Sequence, residues 1–223
     1  MQDAFLSSHV LDAIRSRRSV RAWQPRPVPR ELLERILEAA TWAPSADNLQ
    51  PWRFVVLQGE RKQALADLLR RAAAEAPAGL NPIVRVHRLG LRRSARMIAS
   101  CAAAVTVWST IRPDDARLRL VARGDLVPLF SWSMLVESVA AAVQNLLLAT
   151  HALGLGAVWM GYPNLAGPQI REWLNEPGEL MATVALGYPA ENPPPRRRKP
   201  VAAVTRWEGE PAPAELNASP RDE

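Results

Sequence analysis

The stretch VAAAVQNLLLATHALGLGAVW (139–159) is the most apolar part of the chain, and it decides the fold class. Three polar residues, Gln144, Asn145 and His151, interrupt the apolar run too often for a membrane span. The stretch instead predicts a buried helix over 134–153 that leads into a strand. We therefore expect a soluble globular protein with no membrane association.

Strand and helix patterns alternate on both sides of this stretch. The predicted strands are WRFVVL (52–57), CAAAVTVWS (101–109), GLGAVWMG (154–161) and LMATVALGY (180–188). The predicted helices are 9–16, 29–41, 60–75, 134–153 and 167–175. Proline, glycine and scattered basic residues in 77–93 predict a mobile excursion with a short helix. This alternation indicates an α/β or α+β sandwich around one central sheet.

Length and composition favour a single cytoplasmic domain. The 223 residues are 48% apolar, which is enough to bury one sizeable core. The single cysteine, Cys101, opens an apolar run and is expected to be a small core residue in a reducing compartment. The chain opens without a cleavable apolar leader, so we expect it to stay in the cytoplasm.

The formal net charge of +6 comes mainly from three arginine-rich knots at 15–21, 84–96 and 195–200. Nucleic-acid binders usually add interleaved aromatic residues or a known motif to such charge, and neither is present here. Arginine is well suited to multidentate capture of phosphate. The middle knot reads as a solvated surface, whereas the other two are expected to converge on one small anion.

The first knot, RRSVR (17–21), follows a helix and runs into an extended segment. Arg17 and Ser19 can point to one side and Arg18 to the other, with Arg21 following. Guanidinium groups, a hydroxyl and backbone N–H groups together make a phosphate cradle. A solvated helix end is the alternative interpretation, and this stretch alone does not decide between them.

A second polar stretch, APSADNLQPWRF (43–54), joins a helix to a strand. Ser45, Asn48 and Gln50 lie between them and suit a heteroaromatic ring with alternating donors and acceptors. A simple helix cap and turn is the alternative. The three histidines, His9, His87 and His151, do not have metal-ligand spacing, so we predict no metal site.

Four stretches together resemble the nitroreductase family of FMN flavoproteins. They are RRSVR, APSADNLQPWRFVVL, QNLLLATHALGLGAVWMG and ALGYPAENPPPRRRKPV, and the resemblance spans 9–75 and 138–205. It implies an α+β three-layer sandwich with a central mixed, mainly antiparallel sheet flanked by helices. It also implies one domain over 1–223, with a variable lid at about 77–130 and an extended tail at about 192–223. Family members are homodimers, so the helix at 134–153 is expected to form the dimer core.

The resemblance identifies the expected anion as FMN. By similarity, Arg17 and Ser19 hold the phosphate, Arg18 lies near the phosphate or ribityl chain, and Arg21 reaches the pyrimidine end. The residues implied beyond this knot are Arg196 and Arg198 at the phosphate, Pro44, Ser45, Ala46 and Asn48 from the second subunit, and the backbone of Trp159, Met160 and Gly161 beside flavin N5. No side chain is expected to act as a nucleophile or general acid, because the cofactor carries the reaction.

Two positions depart from the pattern of well-known members. Trp159 stands where those members have proline, and Gly161 stands where they have an acidic residue. Trp159, with Trp132 and Phe130, either narrows the pocket over the flavin or belongs to the core and dimer interface. The polarity and width of the pocket therefore do not carry over from the family.

The implied activity takes hydride from NAD(P)H to flavin N5 and reduces a nitroaromatic, a quinone or another activated small molecule. One alternative is a specialised relative that degrades flavin, removes halogen reductively or dehydrogenates its substrate. Another is a basic nucleic-acid-binding protein, which would be colourless and would bind more weakly as salt rises. The sequence does not decide between NADH and NADPH.

Overall fold

The computed structural model describes residues 2–75, 82–112 and 127–209, and the chain divides into two compact units, Met1–Pro193 and Pro194–Glu223. The helices of the first unit are α1 Gln2–Ser16, α2 Arg30–Thr41, α3 Gly59–Glu75, α4 Pro82–Ser100, α5 Val127–Ala152 and α6 Gly167–Leu174. Its strands are β1 Trp52–Leu57, β2 Ala103–Ser109, β3 Gly156–Met160 and β4 Glu179–Gly187.

The four strands form one sheet in the order β1-β2-β4-β3, and each neighbouring pair is antiparallel. Outside these strands, Ser19 makes an isolated parallel bridge to Ala157 on the outer edge of β3. The predicted strand 52–57 matches β1 in both bounds. The prediction of an α+β fold with a central, mainly antiparallel sheet is confirmed.

Helices cover both faces of the sheet. On one face, Leu65 and Leu69 of α3 and Ile98 of α4 pack in a core cluster with Trp108 and Val158 of the sheet. The cluster on the other face combines residues of α2 and α5 with strand residues, namely Ile36, Val139, Leu146, Val105 and Val184. The predicted three layers follow from this arrangement, because each helix buries one apolar stripe against a pleated face.

Helix α5 is long and apolar enough between Trp132 and Ala152 to span a membrane by length and composition alone. Its apolar character has a different explanation. Four of its residues are almost fully buried within the fold, namely Leu135, Val139, Val143 and Leu146. Such burial is typical of the core helix of a globular domain.

Over 82–93, the prediction of only a short helix is wrong. Helix α4 runs for 19 residues from Pro82, and β2, the strand that follows it, lies in the interior of the sheet. The helix forms because Leu91, Ala95 and Ile98 recur on one face and are buried. Within the predicted lid, 77–130, residues 77–81 and 113–126 lie outside the described residues, and the role of this segment as a lid stays a prediction.

The second unit is described between Pro194 and Gly209. It has no regular structure there except a short 3-10 turn at Val201–Ala203, and Arg206 pairs with Glu208 at 2.6 Å. Its prolines account for this, since they remove backbone donors and fix φ. The organisation of 1–223 as a single domain stays a prediction.

Candidate functional site

A cavity of about 190 Å³ lies where α1 ends and β3 begins. Arg17 and Arg18 line it from the segment after α1, and Gly156 and Ala157 line it from β3. Gly156 is required by close packing, because a Cβ there would lie 2.7 Å from the Val20 side chain. The first arginine knot therefore borders a real concavity and is not simply a solvated helix end.

The members of the knot have different contacts. The Arg18 guanidinium donates to the carbonyls of Arg15 and Arg17, at 2.6 and 2.9 Å, and so satisfies the carboxyl end of α1. Ser19 makes the bridge to β3, and its carbonyl accepts a hydrogen bond from Arg21 at 3.1 Å. The structure thus brings Arg17 and Arg18 to the cavity, whereas Ser19 and Arg21 lie beside it.

His151 also lines this cavity, and sequence reasoning missed it. Its Nε2 lies 2.8 Å from Ser16 Oγ, and Ser16 Oγ donates to the Asp12 carbonyl at 2.6 Å. Burial, then the nearby charges of Arg17 and Arg18, lower the pKa of His151. Its contacts join α1 to the end of α5 across 135 positions of sequence, so no local motif could reveal them.

Glu191 is a second cavity residue that sequence reasoning missed. Its Oε1 accepts a hydrogen bond from the Arg21 backbone N–H at 2.5 Å, which ties the segment after β4 to the arginine knot. The cavity therefore contains a carboxylate as well as guanidinium groups. Placed within a proline-rich stretch, this glutamate gives no sequence signal of its own.

The loop 43–50 has an unusual backbone. Asp47, Asn48 and Gln50 all have positive φ, at 48°, 53° and 47°. Asparagine and aspartate tolerate this left-handed region better than glutamine does. Such strain persists only where the surrounding structure imposes it, and it often marks functional segments.

Two hydroxyls hold this loop in place. Ser45 Oγ accepts from the Gln50 backbone N–H at 3.0 Å, and Ser138 Oγ of α5 accepts from the Ala46 N–H at 3.2 Å. Pro44, Ser45 and Ala46 line a second cavity, of about 330 Å³, together with Glu137 and other residues of α5. Asn48 Oδ1 instead accepts from the Gln50 amide at 3.2 Å.

The third predicted region is the outer edge of β3. The Ala157 carbonyl faces outward and accepts from the Val20 N–H at 3.0 Å. Backbone groups of a strand alternate in direction, so those of Trp159 face the same outward side. Gly161 follows the strand end with αR backbone angles, φ −94° and ψ −27°. A Cβ on Gly161 would meet nothing within 4 Å, so this position borders open space.

The side chains near the end of β3 separate into buried and exposed ones. Met160 is 4% exposed and belongs to the core, so it could contribute to a site only through its backbone. Trp159 and Tyr162 are 41% and 40% exposed. Trp132 packs instead against Ile111 and Leu135, and Phe130 is exposed.

The remaining sequence candidates are two arginines of the tail, the single cysteine and the histidines considered as metal ligands. Arg196 and Arg198 lie in the second unit and are exposed, and their phosphate role stays a prediction. Cys101 is buried, and its burial raises the pKa of its thiol to about 11, which suits the expected core residue. Across the described residues, no group of three or more potential metal ligands comes together.

Known proteins resemble most of the chain. The model of the nitroreductase family matches residues 14–188. A protein of Methanothermobacter thermautotrophicus, provisionally named NADH dehydrogenase/NAD(P)H nitroreductase, is 36% identical over 82% of this chain and 79% of its own. Chloronitrobenzene nitroreductase of Comamonas testosteroni is 30% identical over 82% of this chain and 87% of its own.

A solved structure agrees with these relatives. It is a provisionally named nitroreductase of Desulfovibrio desulfuricans in complex with FMN, 30% identical, covering 91% of this chain and 98% of its own with a TM-score of 0.65. The chain belongs to the nitroreductase family. The family predicted from the four sequence stretches is therefore confirmed.

Proposed function

We propose that this chain is an FMN-dependent NAD(P)H oxidoreductase that reduces nitroaromatics, quinones or similar small acceptors. The observation that carries the proposal is the arginine-lined cavity at the edge of β3, in a chain of the nitroreductase family. The relatives named above support the choice of cofactor and of electron donor.

The residues present fit the phosphate end of FMN. Guanidinium groups are the side chains best suited to bind phosphate, and Arg17 and Arg18 line the cavity. A volume of about 190 Å³ is below the roughly 300–1,000 Å³ typical of ligand pockets, so one chain encloses part of the cofactor only. When bound, FMN supplies the chemistry of accepting electrons from NAD(P)H and delivering them to an acceptor.

The chain's own residues would bind and orient the cofactor and select the acceptor. The outward backbone N–H of Trp159 and the backbone N–H of Gly161 would provide hydrogen-bond donors beside the open space at the end of β3. The exposed rings of Trp159 and Tyr162 offer flat apolar surface for an aromatic acceptor. Gly161, in place of an acidic residue, removes one negative charge, so we expect anionic nitroaromatics to be accepted.

We also propose that the active unit is a homodimer with two shared sites. Ser138 holds the 43–50 loop and His151 borders the arginine cavity, and 13 residues of helix separate them by roughly 20 Å. If two α5 helices pair in opposite directions about a two-fold axis, each loop lies near the partner's cavity. Trp42, directly before the loop, and Leu49, within it, are 81% and 52% exposed and suit such an interface.

The test of this function is flavin content followed by turnover. We expect the purified protein to be yellow, with flavin absorbance near one FMN per chain, and to oxidise NADH or NADPH when given nitrobenzene or a quinone. Arg17→Ala should lose most of its flavin. Arg35→Ala, which removes an exposed arginine of α2, is the matched control and should keep it. A colourless wild-type protein that gains no absorbance with added FMN would contradict the proposal.

A further inference from the structure

His151 occupies a position in the cavity that the proposed function has not used. It lies in the last turn of α5 and is half-buried. Three charged side chains line the cavity with it: Arg17 and Arg18 after α1, and Glu191 after β4. The carboxyl ends of α1 and α5 both reach this cavity, and the partial negative charge of helix ends favours basic groups there.

The hydrogen bonds assign the proton on the neutral imidazole. A serine hydroxyl has one hydrogen, and that of Ser16 is donated to the Asp12 carbonyl. Ser16 Oγ must therefore accept from His151 Nε2, which lies 2.8 Å away. Nδ1 is then the unprotonated nitrogen of neutral His151, and it is the atom that gains a proton when the ring becomes charged.

The charges around the His151 ring disfavour its protonated form when no anion is bound and would favour that form when a phosphate is bound. Without one, burial and the two arginines disfavour imidazolium and lower the pKa of His151. The Glu191 carboxylate also lines the cavity, and it accepts a hydrogen bond from the Arg21 N–H. A phosphate among the same side chains would add up to two negative charges and favour the charged ring.

We propose that His151 is a phosphate-binding residue of this site and takes up a proton when the phosphate group of the cofactor binds. The proposal rests on the proposed function and deepens it by adding a titrating group to the arginine cradle. Ser16 acts as a positioning residue, because its hydroxyl fixes Nε2 and leaves Nδ1 to titrate.

Proton uptake gives FMN binding a definite pH dependence. A group whose pKa rises on binding strengthens binding below the pKa of the free protein, and this gain is lost as pH rises through the pKa of the complex. The phosphate itself titrates near pH 6 and acts in the opposite direction, since protonation weakens its charge. A comparison of two proteins with the same ligand cancels that second effect.

The test measures FMN dissociation constants between pH 5.5 and 8 for the flavin-free full chain and for His151→Gln. Glutamine can still donate to Ser16 but cannot become charged. We expect the variant-to-wild-type ratio of dissociation constants to rise on the order of tenfold from high to low pH. With riboflavin, which has no phosphate, the ratio should stay constant.

A ratio that does not change with pH for FMN overturns the proposal and leaves the proposed function intact. Failure of the wild-type chain to bind any flavin contradicts the proposed function itself. If His151→Gln does not fold, calorimetry on the wild-type chain gives the answer. At pH 7, where a phosphate that titrates near pH 6 is already mostly dianionic, we measure proton uptake in two buffers of different ionisation enthalpy. We expect more protons to be taken up with FMN than with riboflavin, and an equal or smaller uptake with FMN overturns the proposal.

Discussion

Gly90 lies inside α4, where glycine normally weakens a helix. A Cβ at this position would overlap the ring of Tyr162, the residue that follows Gly161, and the His87 ring stands edge-on to it at 6.4 Å between centroids. The missing side chain therefore lets α4 come close to the end of β3. In this way a helix that sequence analysis misread positions an exposed aromatic residue of the candidate site.

Gly90→Ala is expected to destabilise the protein. The gain in helix propensity is up to about 1 kcal/mol, whereas overpacking against a ring costs about 1–3 kcal/mol. Urea unfolding of the wild-type and variant chains measures the difference. Tyr162→Ala provides the control background, in which Gly90→Ala should become neutral or stabilising. An equal loss in both backgrounds would show that the ring is not the cause.

At His151, stability without flavin should depend on pH in a defined direction. Burial and the arginines lower its pKa in the folded state, so the unfolded chain binds the proton more readily. The flavin-free protein should therefore lose stability as pH falls below about 6.5. Thermal melts of wild-type and His151→Gln chains between pH 5 and 8 test this, and the variant should lose less. Parallel curves would assign the loss to other groups.

Among the elements, the loop 43–50 stores backbone strain at Gln50. Gln50→Gly should stabilise the chain by up to about 1 kcal/mol, because glycine adopts positive φ without the steric cost. Gln50→Ala removes the same side chain but keeps the cost, so it should not stabilise. Chemical denaturation of both variants gives the comparison. Should glycine and alanine behave alike, the loop is not strained at this position.

The elements also show where sequence reasoning succeeds. The strand predicted at 52–57 has both bounds correct, because an apolar, β-branched run of this length strongly favours a strand. The length of helix α4 was underestimated because Gly90 and the many arginines of the helix obscure the buried face of Leu91, Ala95 and Ile98. His151 and Glu191 were missed for a different reason, since their neighbours lie 135 and 170 positions away along the chain. Such contacts depend on tertiary structure that no local pattern encodes.

At the scale of the whole molecule, the shared-site dimer predicts complementation between two inactive variants. Arg17→Glu damages the cavity of its own subunit, and Ser45→Arg damages the loop proposed to reach the partner's cavity. A mixed dimer then contains one site with both defects and one with neither. Co-expression with two different tags, followed by purification of the heterodimer, should restore about half of the wild-type activity per dimer. No recovery in confirmed heterodimers would mean that each subunit holds both parts of its own site.

The antiparallel sheet ends at β3. Segment 19–23 contacts this strand through the bridge between Ser19 and Ala157 and through the Trp23 indole N–H, which donates to the Gly156 carbonyl. An open strand edge can pair with another chain and start aggregation. If the proposed dimer forms, protein stripped of its cofactor and separated into single subunits should therefore be the form most prone to precipitate. The net charge of +6 opposes such association by repulsion, and salt screens that repulsion. Storage at low ionic strength with the cofactor present should keep the protein in solution longest.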